Sequence, residues 1–185
     1  LPLTYKGAIL TWSLNNRLSS YKKNENSAPV IYEYNALGQR IKKIYTNSDN
    51  QRVQEEYIYN DDLLTNIIIL LLDENDEIIS TNYNNRIDFI YDENTMIGFI
   101  HNENVYYYVR DVLGNIKFIL GSSYNIVCKY EYDAWGNHKV YEYTTNGYTL
   151  NTSTSFIGNI NPIRYKGYYY DVENQLFYCN SRYYS

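Results

Sequence analysis

Asp111, Asp133 and Asp171 each follow a tyrosine-rich stretch, and carboxylates brought together in pairs can divide general-acid and general-base work. Their surroundings favour another role. Asp111 is followed three residues later by Gly114, Asp133 by Gly136, and Asn35 by Gly38. A short side-chain acceptor opening a turn, with a glycine at its positive-φ position, is hairpin chemistry. Asp171 stands in the same place after Tyr168-Tyr169-Tyr170. Asn35, Gly38, Asp111, Gly114, Asp133, Gly136 and Asp171 therefore read as one set of structural turn residues. His101 and His138 lie far apart in sequence, each beside a turn or strand edge, and read as surface residues rather than members of a triad. The acidic stretch Asp73-Glu74-Asn75-Asp76-Glu77 invites a calcium reading. It lacks the sixth-position glycine and the distant glutamate of an EF-hand loop, so it reads as a turn. No catalytic residue, metal ligand or cofactor is assigned, and the expectation is a chain that is not an enzyme.

Arg110, Arg164 and Arg182 adjoin aromatic runs, where a guanidinium can stack on a ring or pair with a turn carboxylate. Tyr106-Tyr107-Tyr108, Tyr168-Tyr169-Tyr170 and Tyr183-Tyr184 place rings on both faces of their strands. Two uses stay open. The rings can form ladders that stabilise neighbouring strands, or they can line a surface for a glycan or an unfolded polypeptide. On the second use the binding residues are Tyr107, Tyr169, Arg164 and Arg182. Cys128 and Cys179 read as small buried apolar residues, and they can pair only if their strands are neighbours.

The elements that must carry these residues are hairpins. Tyr130-Glu131-Tyr132-Asp133-Ala134-Trp135-Gly136-Asn137 is nearly repeated at Tyr32 to Gln39, and its turn recurs at Tyr108 to Asn115. Weaker copies without the glycine lie at Tyr57 to Asn60, Phe89 to Asp92 and Tyr168 to Asp171. Irregular recurrence of one short unit marks a degenerate repeat. With 25 tyrosines against 5 phenylalanines and only 3 prolines, the 185 residues predict an all-β antiparallel meander with little helix. Ile67 to Leu72, the longest apolar run, reads as a strand buried on both faces; about 20 residues would be needed to span a bilayer. Thr144 to Asn161 is polar and reads as an insertion loop. A net charge of −5, from 16 basic and 21 acidic residues, gives no basic patch for nucleic acid. The N-terminal Leu1-Pro2-Leu3-Thr4 does not read as a signal peptide.

Asn161-Pro162-Ile163-Arg164-Tyr165-Lys166-Gly167-Tyr168-Tyr169-Tyr170-Asp171, then Leu176-Phe177-Tyr178 and Ser181-Arg182-Tyr183-Tyr184, resembles the Rhs/YD-repeat family in its C-terminal Rhs-associated core. Tyr107-Tyr108, Asp111, Gly114 and Tyr130 to Gly136 resemble the earlier part of that core, and Trp12 with Asn16-Arg17-Leu18 the start of a preceding repeat. Asn174-Gln175 stands where the family has Thr-Gly, and Asn60 is followed by Asp61-Asp62 without glycine. The resemblance divides the chain into YD hairpins over 1–105 and the core over 106–185. It implies a segment of a β-shell in a longer bacterial polymorphic-toxin or wall-associated protein, secreted or at the cell surface. The implied partners are the rest of the shell, an enclosed C-terminal toxin domain, and a protein or glycan at the cell surface. It also implies that the family's autoprotease segment follows the Arg-Tyr-Tyr motif, beyond Ser185. The alternative reading is a surface adhesin or carbohydrate-binding module using exposed tyrosines.

Overall fold

A computed structural model describes residues 1–13, 16–80, 85–180 and 182–184. Ser181 of the C-terminal motif lies outside the described residues. The chain forms two compact units, Leu1–Asp88 with Asn180–Arg182, and Phe89–Cys179 with Tyr183–Ser185.

The first unit contains β1 (Thr4–Tyr5), β2 (Ala8–Trp12), β3 (Leu18–Lys22) and β4 (Val30–Tyr34). These are followed by β5 (Arg40–Thr46), β6 (Arg52–Asn60), β7 (Leu63–Leu72), β8 (Ile78–Ser80) and the start of β9 (Arg86–Asp92). Alternation is visible in β4, where Val30 and Tyr32 are buried while Glu33 faces solvent. The core also holds charge. Arg40 and Lys43 are only 1% and 2% exposed. Lys43 pairs with Glu55 at 3.1 Å, and Tyr57 donates its hydroxyl to the same carboxylate at 2.6 Å. The Arg40 guanidinium lies over the Tyr57 ring at 4.7 Å. Buried charge is tolerated when it is paired and hydrogen-bonded in this way. β7 is a single ten-residue strand. Ile67, Leu70 and Leu72 are buried, but Leu71 is 38% exposed, so the apolar run is not covered on both faces throughout. β7 is long enough to pair with two successors, β9 along Asn66–Ile68 and β8 at Leu71–Leu72.

The second unit continues with β10 (Thr95–His101), β11 (Asn104–Arg110), β12 (Ile116–Leu120), β13 (Ile126–Tyr132), β14 (His138–Thr144) and β15 (Gly147–Leu150). After these come helix α1 (Ile157–Ile160), a 3-10 turn at Tyr165–Gly167, β16 (Tyr169–Asp171), β17 (Leu176–Cys179) and β18 (Arg182–Tyr184). Thr144 to Asn161 is thus not an insertion loop. Gly147, at φ 96°, closes a tight turn that lets Gly147–Leu150 pair with β14. α1 then packs so closely that a Cβ at Gly158 would meet the Cys128 sulfur at 2.4 Å. The polar side chains that make this stretch look irregular satisfy its backbone: the Asn159 amide donates to the carbonyls of Asn151 and Ser153 at 3.0 and 2.9 Å.

β1 to β15 form one antiparallel sheet whose neighbours follow chain order, β8 excepted, and whose path ends at β1 and β15. β16, β17 and β18 form a second sheet. The fold is all-β. Cys128 on β13 and Cys179 on β17 belong to different sheets and are free thiols.

Candidate functional site

The expected turns form through side-chain and backbone bonds together. Asn35, Asp111 and Asp133 each accept, through Oδ1, the backbone N–H of the residue four ahead, at 2.9, 3.0 and 3.0 Å. Gly38, Gly114 and Gly136 donate back to the first residue's carbonyl and adopt φ 85°, 85° and 92°. The second carboxylate oxygen of Asp111 takes the Asn115 amide at 2.7 Å, and that of Asp133 takes the Asn137 amide at 2.7 Å. The Asn137 bond, with the N–H groups of Trp135, Asn137 and Gly136, holds the Asp133 carboxyl below its ordinary range. Two further turns use the same frame without glycine. Asn47 and Asp73 accept from the N–H groups of Gln51 and Glu77, with Asn50 and Asp76 at φ 60° and 61°. The acidic stretch 73–77 is one of these turns. Asp171 differs. It is fully buried on β16 opposite Leu176, and its carbonyl accepts from the Gln175 N–H at 2.8 Å.

The chemistry-bearing residues that converge do so around the segment 161–167, which lies as a strap over one face of β11 to β14. Cross-strand pairs share a face, so Tyr108, Ile119 and Cys128 align, as do Tyr130 with Val140 and Tyr132 with His138. Asn161, fully buried, is seated on this row. Its Oδ1 accepts from the Tyr108 hydroxyl at 2.6 Å and from the Ile163 N–H at 3.3 Å. Its Nδ2 donates to the Tyr130 oxygen at 3.1 Å and to the Ile163 carbonyl at 2.6 Å. Tyr130 donates in turn to the Gly158 carbonyl at 2.5 Å. Arg164, 3% exposed, donates from Nε to the Asn161 carbonyl at 3.0 Å and from Nη2 to the Asn159 carbonyl at 2.9 Å. Its Nη1 meets His138 Nε2, and its guanidinium lies over the Tyr170 ring at 4.8 Å. At the far end, Lys166 N–H donates to Asn115 Oδ1 at 2.9 Å, and Ile116 N–H to the Arg164 carbonyl at 3.1 Å.

Burial sets the electrostatics of this row. It pushes the Tyr108, Tyr130 and Tyr132 phenols upward and the Cys128 thiol up to about 12, so neither phenolate nor thiolate forms near neutrality. It pushes His138 down to about 4, with the Arg164 charge acting in the same direction. This arrangement satisfies donors and acceptors internally; it aims no nucleophile and no paired carboxylates at a common point. Among the described residues no group of three or more His, Cys, Asp and Glu side chains is placed to hold a metal ion. No helix of the described residues is long and apolar enough to cross a membrane.

Arg164 and Tyr169 come together here. Tyr169, 8% exposed, bridges Ile163 and pairs with Tyr178. Tyr107 occupies the opposite face of β11 and stacks on Tyr124 at 5.2 Å. Arg182 is exposed on β18. Arg110 donates to the carbonyls of Gly114 and Met96 at 3.2 and 2.9 Å. Neither histidine is a surface residue. His101 is 7% exposed, and His138 sits among Tyr132, Tyr170 and Phe177. Local sequence puts both beside turns, but rings from β13, β16 and β17 half-bury His138. Sequence alone does not pair Asn161, Tyr130 and His138 with Arg164; the one signal is the Asn-Pro-Ile-Arg string itself.

No family model matches the chain. Across 175 residues, 94% of its length, it is 30% identical to the tRNA nuclease WapA of Bacillus subtilis strain 168. It is 29% identical over the same share to the tRNA3(Ser)-specific nuclease WapA of Bacillus spizizenii. The chain belongs to the Rhs/YD-repeat family. It spans about 6% of the length of these Rhs/YD-repeat relatives. In fold it is similar to the crystal structure of TcdB2-TccC3 without its hypervariable C-terminal region, with a TM-score of 0.69 at 19% identity. That match covers 98% of this chain and 8% of that one. A crystal structure of TcdB2-TccC3 matches with a TM-score of 0.67 at 18% identity, over 97% of this chain and 9% of that one.

Proposed function

We propose that this chain is a non-catalytic wall segment of a longer, secreted or wall-associated Rhs/YD-repeat protein. Its 1–105 hairpins and its 106–185 core build part of a β-shell that encloses or delivers a C-terminal effector. The observation that carries this reading is the single antiparallel sheet of consecutive hairpins, whose path ends at β1 and β15 rather than closing on itself. Strand edges left open in this way call for further strands beside them. Two features support it. The carboxylates of Asp111 and Asp133 are consumed by turns. The relatives named as nucleases are many times longer than the segment matched here. On this reading Tyr107, Tyr169, Arg164 and Arg182 stabilise the wall, and its partners are the rest of the shell and the effector.

Protease protection tests the proposal. In the complete protein, the region after Ser185 should resist trypsin for as long as the shell is intact, and become sensitive when the shell is opened by denaturant. Cleavage at the rate of the isolated C-terminal region would contradict it.

A further inference from the structure

We propose that His138 and Arg164 form a proton-gated latch that holds the 161–167 strap on the β11–β14 face in neutral solution and releases it in acid. An arginine Nη1 can only donate, so its contact with His138 Nε2 requires that nitrogen to carry a lone pair. The proton of the neutral ring is then on Nδ1, which faces the Gly136 carbonyl at 3.4 Å. One tautomer satisfies both neighbours. A second proton removes the acceptor and sets an imidazolium against a guanidinium that is 3% exposed.

The groups around the ring offer the second charge no compensation. β13 presents Tyr132 at 6.0 Å, β16 presents Tyr170 edge-on at 4.5 Å, and β17 presents Phe177 at 6.0 Å. The strap presents Arg164 and carries Lys166; β14 itself carries Lys139. Of the carboxylates on the packed elements, Asp133 is committed to the Asn137 turn, Glu131 to Lys129 and Glu142 to the Asn151 amide, while Asp171 and Glu173 lie beside Tyr170. Burial first and Arg164 second lower the titration of His138 from 6.5 to about 4, opposed by the Gly136 carbonyl. The released strap leaves the ring free to bind a proton at its ordinary pKa, while the docked strap keeps it neutral. Docking is therefore fully favoured above 6.5 and weakens as the pH falls through the window down to about 4. With those two values the docking equilibrium falls about twentyfold between pH 7 and pH 5.

Hydrogen exchange on the full chain reads this directly, because the Ile116 and Lys166 N–H groups bond to Arg164 and Asn115 only when the strap is down. After correction for intrinsic exchange, their protection should drop about twentyfold from pH 7 to pH 5 while the β6–β7 ladder holds. His138→Gln, which cannot take up the proton, should flatten the response. If that variant does not fold, His101→Gln leaves His138 as the single histidine of the chain and should keep the full drop. Equal protection at both pH values overturns the latch. So does a drop that survives in His138→Gln, one that vanishes in His101→Gln, or one shared equally by β6–β7.

Discussion

At the scale of single residues, two glycines that look alike in sequence do different work. Gly114 and Gly136 both hold positive φ, at 85° and 92°. A Cβ on Gly114 meets nothing within 4 Å, whereas one on Gly136 meets the Tyr165 ring at 2.9 Å. Tyr165 is itself held, donating to the Ala134 carbonyl at 3.1 Å and stacking on Tyr184. Gly114→Ala should therefore cost about 1 kcal/mol, the backbone penalty alone. Gly136→Ala should cost at least about 2 kcal/mol, because overpacking against the ring is added. Urea unfolding of the two variants separates these terms, and equal losses would mean that the strap does not press on the turn. The glycine positions are legible from the turn frame. The ring beneath one of them is not, since Tyr165 comes from a distant segment downstream.

At the scale of elements, the hairpin frame is broader than its glycine signature. Asn35, Asp111 and Asp133 are recognisable because Gly follows at the fourth position. Asn47 and Asp73 build the same frame with Asn50 and Asp76 in the left-handed region, where the local pattern shows only polar turns. Asn tolerates that conformation and a β-branched residue does not. Asn50→Val should cost about 1–2 kcal/mol although its side chain is exposed, while Asn50→Gly should be close to neutral; thermal unfolding measures both. β15 and α1 are hidden in the sequence for a related reason. Their polar residues cap and turn the backbone instead of marking a loop, and only Tyr148 and Leu150 hint at a strand's alternation. The buried strap is half legible: its Asn-Pro-Ile-Arg string is distinctive, but its partners Tyr108, Tyr130 and His138 become neighbours only through strand pairing.

At the scale of the whole molecule, sequential hairpins give a sheet in chain order, which is why the strand order follows from the spacing of the turns. Ionisable groups are distributed through it as fasteners. Lys43–Glu55 closes the interior of one unit, and Arg164–Asn161–Tyr130 closes that of the other. The relatives' greater length and the free ends at β1 and β15 fit a segment of a longer wall. The most direct measurement is a cryo-electron microscopy map of the complete protein. In a wall segment, β1 and β15 should each hydrogen-bond to a further strand of the same sheet, with effector density on one side of the wall. Solvent along both edges, with a small molecule bound where Asn161 and Arg164 meet, would contradict it.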